Sequence, residues 1–231
     1  WNALDQQPCV LEKKVVLDLE ISVVLARKLC TSSNGAPSAQ MVYFPIAENS
    51  HRNGILDLSI APARISPNLT AEAIRLAGQI ADALNYQGVL CVEMFVVNGQ
   101  LLVNELAPRP HNSGHYTLDA CFHSQFEQQV RVLADLPLSP LSGNALQHTP
   151  TVMLNLLGDI WFPNAEKQKH ESLSPQEPDW ASVLALPKTQ LHLYGKKEPR
   201  PGRKMGHVTC LGESVDHALE QALRVKGILS I

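Results

Sequence analysis

The stretch that decides the fold spans residues 89–106 and reads VLCVEMFVVNGQLLVNEL. Two runs rich in β-branched and apolar residues flank Asn98-Gly99, a dipeptide favoured in two-residue turns because both positions tolerate positive φ. The stretch therefore predicts an antiparallel hairpin. Each arm carries one acidic residue, Glu93 in the first and Glu105 in the second.

A carboxylate within an apolar strand is costly to bury unless its charge is compensated. Either each carboxylate faces water on a half-exposed sheet, or both bind one metal. With a plain two-residue loop, Glu93 would pair with Asn104 and Glu105 would point to the other face. With Gly99 as a left-handed bulge residue, Glu93 would pair with Val103, and Glu105 would share its face. A shared Mg²⁺, which prefers oxygen ligands, requires the bulged register, and we expect that register.

The composition excludes several classes of protein. The 231 residues suffice for one large domain or two small ones, and 45% hydrophobic with 18% charged residues argues against a disordered chain or a coiled coil. A net charge of −3 disfavours a nucleic-acid partner. The apolar runs are too short to span a bilayer, so no membrane partner is expected.

The cysteines and the first residues bear on location. Five widely spaced cysteines without a CxxC pair argue against a disulfide framework or a structural zinc site, and they favour a reducing cytosol. The chain opens at Trp1 with neither an initiator Met nor a signal peptide. We therefore expect a cytoplasmic protein whose sequence opens in the middle of a longer one.

The remaining pattern is α+β with antiparallel hairpins. A shift to Ser, Pro and Gly near residues 138–150 divides it into segments 1–137 and 138–231. Thr70 is expected to cap a helix that ends near Asn85, and a second helix is expected over 124–134. Strands are expected at 15–19, 21–26, 41–44, 151–157, 189–194 and 205–210, and a last helix at 214–226.

Two polar segments are candidates for function. Residues 107–115 read APRPHNSGH, in which Pro110 and Gly114 predict a loop and make a helical zinc pair of His111 and His115 improbable. The turn 195–204 concentrates five basic residues in an acidic chain. It predicts either an anion site or an ordinary solvated hairpin tip.

Several motifs resemble those of a known superfamily. Residues 105–109, ELAPR, with Glu93 on the preceding strand, resemble the metal hairpin of the ATP-grasp superfamily. Their continuation to His115 and the run PGRKMGH at 201–207 resemble the 5-(carboxyamino)imidazole ribonucleotide synthases within it. This implies an ATP-grasp antiparallel sheet with flanking helices over 1–137, followed by a small, mostly β C-terminal domain over 138–231.

The resemblance covers nearly all of the chain but not the whole family length. It implies a C-terminal fragment without the N-terminal α/β domain and the first part of the ATP-grasp domain, and hence little turnover alone. The implied reaction is ATP-dependent carboxylation of 5-aminoimidazole ribonucleotide with bicarbonate, through carboxyphosphate, in purine synthesis, by a homodimer when full length. A formate-dependent glycinamide ribonucleotide transformylase and a non-catalytic remnant remain as alternatives.

The resemblance also implies roles for individual residues. Arg109 and His111 would be catalytic, and Glu93 and Glu105 would bind Mg²⁺. Many relatives carry an Asn ligand where this chain has Ala107, which leaves the second metal incomplete. ATP would be bound by Glu12, Lys13, Lys14, Val15, Glu20, His51, Asn104 and Glu105. The ribonucleotide or bicarbonate would be bound by Asn112, Lys196, Arg203 and Lys204.

Overall fold

A computed structural model describes residues 1–31, 37–163 and 174–231. Within these ranges no helix has the length and apolar character needed to cross a membrane. The first part of the chain forms β1 (Leu19–Thr31), β2 (Pro37–Tyr43), β3 (Ala47–Arg52), β4 (Ile55–Ala61), α1 (Pro67–Ala83), β5 (Gly88–Val97), β6 (Gln100–Ala107), α2 (Thr117–Ala120) and α3 (Gln125–Leu133). The rest forms β7 (Thr151–Leu157), α4 (Trp180–Leu184), β8 (Thr189–Leu193), β9 (Lys204–Leu211) and α5 (Val215–Leu229).

The described strands form one sheet in the order β6-β5-β1-β3-β4-β7-β9-β8, with β2 paired to β1. Every pairing between them is antiparallel. This confirms the expected α+β architecture with helices beside an antiparallel sheet. Because β4 pairs with β7, the sheet runs without a break from the first segment into the second. The division at 137/138 stays a prediction.

The first helix starts earlier than the sequence pattern predicted. Ser66, not Thr70, is the N-cap: its hydroxyl accepts a hydrogen bond from the Leu69 amide, and Pro67 occupies the first helical position. Proline suits that position because its φ is already helical and it lacks only an amide hydrogen that would have no partner there. Thr70 instead donates its hydroxyl to the Ser66 carbonyl.

The two strands expected at 15–19 and 21–26 are a single strand, β1. It begins at Leu19, where pairing with Val96 of β5 begins. Residues 15–17 lack a ladder partner among the described strands, so their β-branched composition does not produce a strand. Local β propensity is weaker than the need for a neighbouring strand.

The sheet is covered on both faces. α1 packs its small residues Ala73, Ala77 and Ala81 against one face, beside Ile21 and Leu25. Tyr116, Phe44 and Leu146 fill the core on the other face. In the second segment α5 packs on β7 and β9 around Leu154, Val208 and Val225.

The C-terminal core should depend on Leu154, which is fully buried in β7 (0% exposed). Replacing it with alanine should lower the free energy of unfolding by about 2–5 kcal/mol, since the change removes apolar contacts and leaves a cavity. Leu223→Ala, at a site 57% exposed on α5, is the matched control and should cost far less. Urea unfolding of both variants measures this, and equal losses would contradict the assigned packing.

Candidate functional site

The acidic hairpin has the predicted strands but a different register. Val97 pairs with Gln100 across a plain two-residue turn, in which Asn98 and Gly99 both have positive φ (50° and 72°). The expected bulge at Gly99, with Glu93 opposite Val103, is therefore wrong.

The bulge lies further along β6. Met94 pairs with Val103 while Glu93 pairs with Glu105, so Asn104 is the extra residue. The insertion shifts β6 by one residue and places Glu105 directly across from Glu93. The two carboxylates share one face, as predicted, but for a different structural reason.

Both carboxylates border an open cleft of about 470 Å³, which we call the carboxylate cleft. Its walls come from the hairpin and the loop after it, from β1, from the β3–β4 hairpin and from the β8–β9 turn. The residues lining it are Glu20, His51, Gly54, Ile55, Leu56, Glu93, Phe95, Asn104, Glu105, Arg109, His111, Asn112, Gly202 and Lys204.

The electrostatics of Glu93 suit a cation site. Its side chain is 18% exposed, and its pKa is raised by burial first and then by the charges of Glu105 and Glu20. The charge of His51 and a hydrogen bond from Ser22 act in the opposite direction. Two facing carboxylates repel each other, and a divalent cation with oxygen ligands would relieve that repulsion.

A buried polar chain lies next to Glu93 and was missed by the sequence analysis. Ser59 donates to the Asn49 amide oxygen at 2.7 Å, and Asn49 donates to the Ser22 hydroxyl at 2.6 Å. Ser22 pairs across the strands with Glu93, and its hydroxyl lowers the pKa of that carboxyl group. The one signal available was Ser22 itself, the hydroxyl within the apolar run 21–26.

The loop after β6 brings Arg109, His111 and Asn112 to the cleft. His111 Nε2 lies 3.8 Å from Glu93 Oε1, and its Nδ1 is 2.8 Å from the Ser113 hydroxyl. Burial, then the charges of Arg109 and of Lys204, lower the pKa of His111 to about 4, so the imidazole is neutral at pH 7.

Asn112 has an amide that is not satisfied by the protein. The residue is 7% exposed, and neither its amide oxygen nor its amide nitrogen has a hydrogen-bond partner among the described residues. Buried polar atoms are nearly always paired, so an unpaired amide at a cleft marks a position where a bound molecule can complete the bonds.

Gln125 fixes the shape of this loop. Its side-chain oxygen accepts from the His111 amide, and its nitrogen donates to the His111 carbonyl, both at 2.8 Å. A Cβ on Gly114 would lie 2.6 Å from that oxygen, so glycine permits the close approach. Asn112–Gly114 form a short 3₁₀ turn, which confirms the expectation of a loop without an α-helix.

The β8–β9 turn contributes differently from the expectation. Lys204 lines the cleft, and its pKa is lowered by burial first and then by Arg109 and Lys196, against the opposing charge of Glu93. Lys196 donates to the Lys204 carbonyl. The Arg203 guanidinium donates to the Glu198 carbonyl at 2.7 Å, within the turn. Of the three basic residues predicted to bind substrate, the structure brings Lys204 into the cleft.

A second cleft of about 450 Å³ adjoins the first and shares Glu20 and His51 with it. His51 Nδ1 lies 2.7 Å from Glu20 Oε2. The lining of this adjoining cleft begins at Leu17. Of the residues before it, Glu12, Lys13 and Lys14 are exposed in irregular chain and Val15 is half-buried.

Comparison with known families adds to the geometry. A family model of the ATP-grasp domain matches residues 1–126, more than half of the chain. A model of the phosphoribosylaminoimidazole carboxylase C-terminal domain matches residues 151–221. An N5-carboxyaminoimidazole ribonucleotide synthase from Bacillus subtilis is 43% identical over 219 residues, which are 94% of this chain and 50% of that relative.

Solved structures show similar folds. A carboxyaminoimidazole ribonucleotide synthase from Aspergillus clavatus complexed with ATP has a TM-score of 0.81 and 29% identity, over 99% of this chain and 55% of that one. A complex of the Aspergillus clavatus enzyme with ADP and 5-aminoimidazole ribonucleotide has a TM-score of 0.75 and 28% identity, over 93% and 52%. The chain thus spans about half the length of the relatives it matches.

The neutral state of His111 predicts a pH-dependent stability. The unfolded imidazole takes up a proton near pH 6.5, while the folded one does so only near pH 4. The free energy of unfolding should therefore decrease as the pH is lowered from 6.5 to 4. Because His111→Asn removes this group, the slope of the unfolding free energy against pH should become smaller between pH 6.5 and 5, by up to about 1.4 kcal/mol per pH unit. Gln87→Asn, at an exposed and non-titrating position, is the control. Urea unfolding across this pH range measures it, and an unchanged slope in His111→Asn would contradict the buried neutral imidazole.

Proposed function

This chain belongs to the ATP-grasp family, and we propose that it contributes to the ATP-dependent carboxylation of 5-aminoimidazole ribonucleotide with bicarbonate, through carboxyphosphate, in purine biosynthesis. One observation carries the proposal. A single cleft is lined both by the facing carboxylates Glu93 and Glu105 and by the cations Arg109 and Lys204. A phosphoryl transfer between anionic reactants needs both, because its catalysis is mainly positioning and charge stabilisation.

The carboxylates are the proposed Mg²⁺ ligands. A bound Mg²⁺ would neutralise charge on the transferring phosphoryl group. Ser22 is the cross-strand neighbour of Glu93 on β1, and the bulge at Asn104 places Glu105 on the same face as Glu93. Ala107 offers no ligand atom where many relatives have Asn, and Asn104, which lines the cleft, offers an amide for completing a second metal.

Arg109 and His111 are the proposed catalytic residues. Arg109 lines the cleft and would bind carboxyphosphate, since a guanidinium matches such an anion bidentately. His111 is neutral, and its Nδ1 accepts from the Ser113 amide, so Nε2 carries the hydrogen and can donate it to a group bound in the cleft. The unsatisfied amide of Asn112 would orient bicarbonate or the ribonucleotide.

ATP would extend from the carboxylate cleft into the adjoining cleft. Glu20 and His51 line both, so the Glu20 carboxylate is placed to accept from ribose hydroxyls. The backbone of residues 12–15, including Glu12, Lys13, Lys14 and Val15, would then lie along the adenine base, just before the lining that starts at Leu17.

The basic turn is the proposed site of the ribonucleotide 5′-phosphate. Lys204 is in the cleft, Lys196 contacts it, and Arg203 stands beside it in the chain. Charge-assisted hydrogen bonds from such a group to a phosphate are stronger than neutral ones.

A cytoplasmic location and a homodimer complete the proposal. All five cysteines are free, as a reducing compartment would require. Apolar side chains on and near α3 are exposed, with Phe122 at 59%, Val130 at 58% and Leu133 at 76%, and a dimer contact would cover such a surface.

A chimaera tests the reaction. Joining this chain to the N-terminal half of the Bacillus subtilis relative should give ADP release that requires both bicarbonate and 5-aminoimidazole ribonucleotide. Dependence on formate and glycinamide ribonucleotide would favour the transformylase alternative instead. No ADP release with either pair, from a chimaera that is folded by circular dichroism, would favour the non-catalytic remnant.

Lys204 should control ribonucleotide affinity in that chimaera. Lys204→Ala removes a charge-assisted contact worth roughly 1.5–3 kcal/mol, so KM for the ribonucleotide should rise about ten- to a hundredfold. KM for ATP should move far less. Lys197→Ala, at an exposed position of the same turn, is the matched control. A rise in KM for ATP alone would contradict the phosphate assignment.

A further inference from the structure

A cluster of imidazoles lies beside the carboxylate cleft and has no role in the proposed chemistry. The His192 and His207 rings stack with their centroids 4.5 Å apart and their planes 16° apart. The centroid of the His115 ring lies 5.1 Å from that of the His207 ring. His192 Nε2 lies 2.9 Å from Asp119 Oδ2, and the Tyr194 hydroxyl lies 2.9 Å from His207 Nδ1. We call these five residues the imidazole clamp.

The clamp resembles a metal site in composition but not in geometry. Asp119, His192 and His207 each offer a ligand atom, and the three atoms lie within 4.8 Å of one another. The lone pair of an imidazole nitrogen lies in the ring plane, however, and two rings stacked nearly parallel cannot direct their lone pairs at one ion. The arrangement is instead a partly buried hydrogen bond between Asp119 and His192, extended by ring stacking.

The clamp joins two segments that are far apart in the sequence. Asp119 and His115 belong to the α2 region, whereas His192 and His207 are cross-strand partners on β8 and β9. Directly paired residues of antiparallel strands lie on the same face, which is why both rings reach the α2 region. The Asp119–His192 hydrogen bond is a direct side-chain contact between these segments, with side chains 14% and 34% exposed.

Each end of the clamp continues to a cleft residue. On one side, Gln125 lies 3.0 Å from His115 Nδ1 while it holds both backbone groups of His111. On the other side, the Lys196 ammonium lies 5.6 Å from the Tyr194 ring and donates to the Lys204 carbonyl. A continuous series of contacts therefore connects the loop that carries His111 to the basic turn.

His115 and His207 add no positive charge beside the basic turn. Burial, followed by neighbouring charges, lowers the pKa of His115 to about 4 and that of His207 to about 3. Both rings are therefore neutral at pH 7 and can pack next to Lys204 without repelling it.

We propose that Asp119 and His192 are positioning residues that hold the basic β8–β9 turn against the loop of Arg109 and His111. The role rests on the proposed function, because the turn is there the phosphate site. Without this hydrogen bond, Lys204 and Arg109, which both line the cleft, would no longer be held at a defined separation.

Amide hydrogen exchange of the 231-residue chain tests the clamp without any ligand. Asp119→Ala should speed exchange of the Tyr194 and Arg203 amides, which bond Met205 and Arg200, by about tenfold or more. Asp119→Asn keeps an acceptor for His192 and should recover most of the protection. Glu213→Ala breaks the exposed Lys188–Glu213 pair at the start of β8 and is the matched control. Unchanged exchange of both amides in Asp119→Ala would overturn the proposal.

The β5 amides report whether the variant folds. If Asp119→Ala loses their protection as well, His192→Gln is measured in its place under the same criteria. Unchanged turn amides in that variant would likewise overturn the clamp.

A second experiment tests the clamp separately from the proposed function. Ribose 5-phosphate is added as the probe, and its binding is followed by the NMR chemical shift of the Lys204 amide. Weaker binding of ribose 5-phosphate by Asp119→Ala than by Asp119→Asn would support both the clamp and the phosphate assignment. If the wild-type chain shows no shift while the exchange result holds, the clamp stands and the phosphate assignment fails.

Discussion

Two like charges held face to face inside a sheet are the constraint on which this structure depends. Glu93 and Glu105 are direct cross-strand partners, and like charges in that position repel. Neighbouring groups oppose this effect: His51 and the Ser22 hydroxyl both lower the pKa of Glu93, against the effect of burial. Around this pair the cleft gathers the positive groups Arg109 and Lys204. The chain thus maintains an electrostatic arrangement that a bound cation and an anionic substrate would complete together.

The continuity of the sheet makes that arrangement possible. β4 of the first segment pairs with β7 of the second, and β7 pairs with β9, whose first residue is Lys204. The site is therefore shared between two parts of the chain that match different family models. A rigid antiparallel sheet positions such groups more accurately than loops alone could do.

Neutral imidazoles have a distinct place in this site. His111, His115 and His207 all have a lowered pKa, with burial as the first cause in each. An imidazole kept neutral can pack beside lysine and arginine and still form hydrogen bonds. The loop and the basic turn can therefore approach each other without added repulsion from these rings, and Gln125 and Tyr194 set the orientation of the rings.

Local chemistry in the sequence determined the hairpin turn at Asn98-Gly99, the loop after Glu105, the α3 and α5 caps at Ser124 and Ser214, and the candidate acidic and basic groups. These features depend on residues within a few positions of one another. The tertiary structure decided the bulge at Asn104, the start of β1 at Leu19 and the entry of Lys204 into the cleft. It also decided the buried contacts of Ser22 and Gln125. Each of these depends on a partner strand or loop distant in the chain, and no local propensity specifies which distant group will be the neighbour.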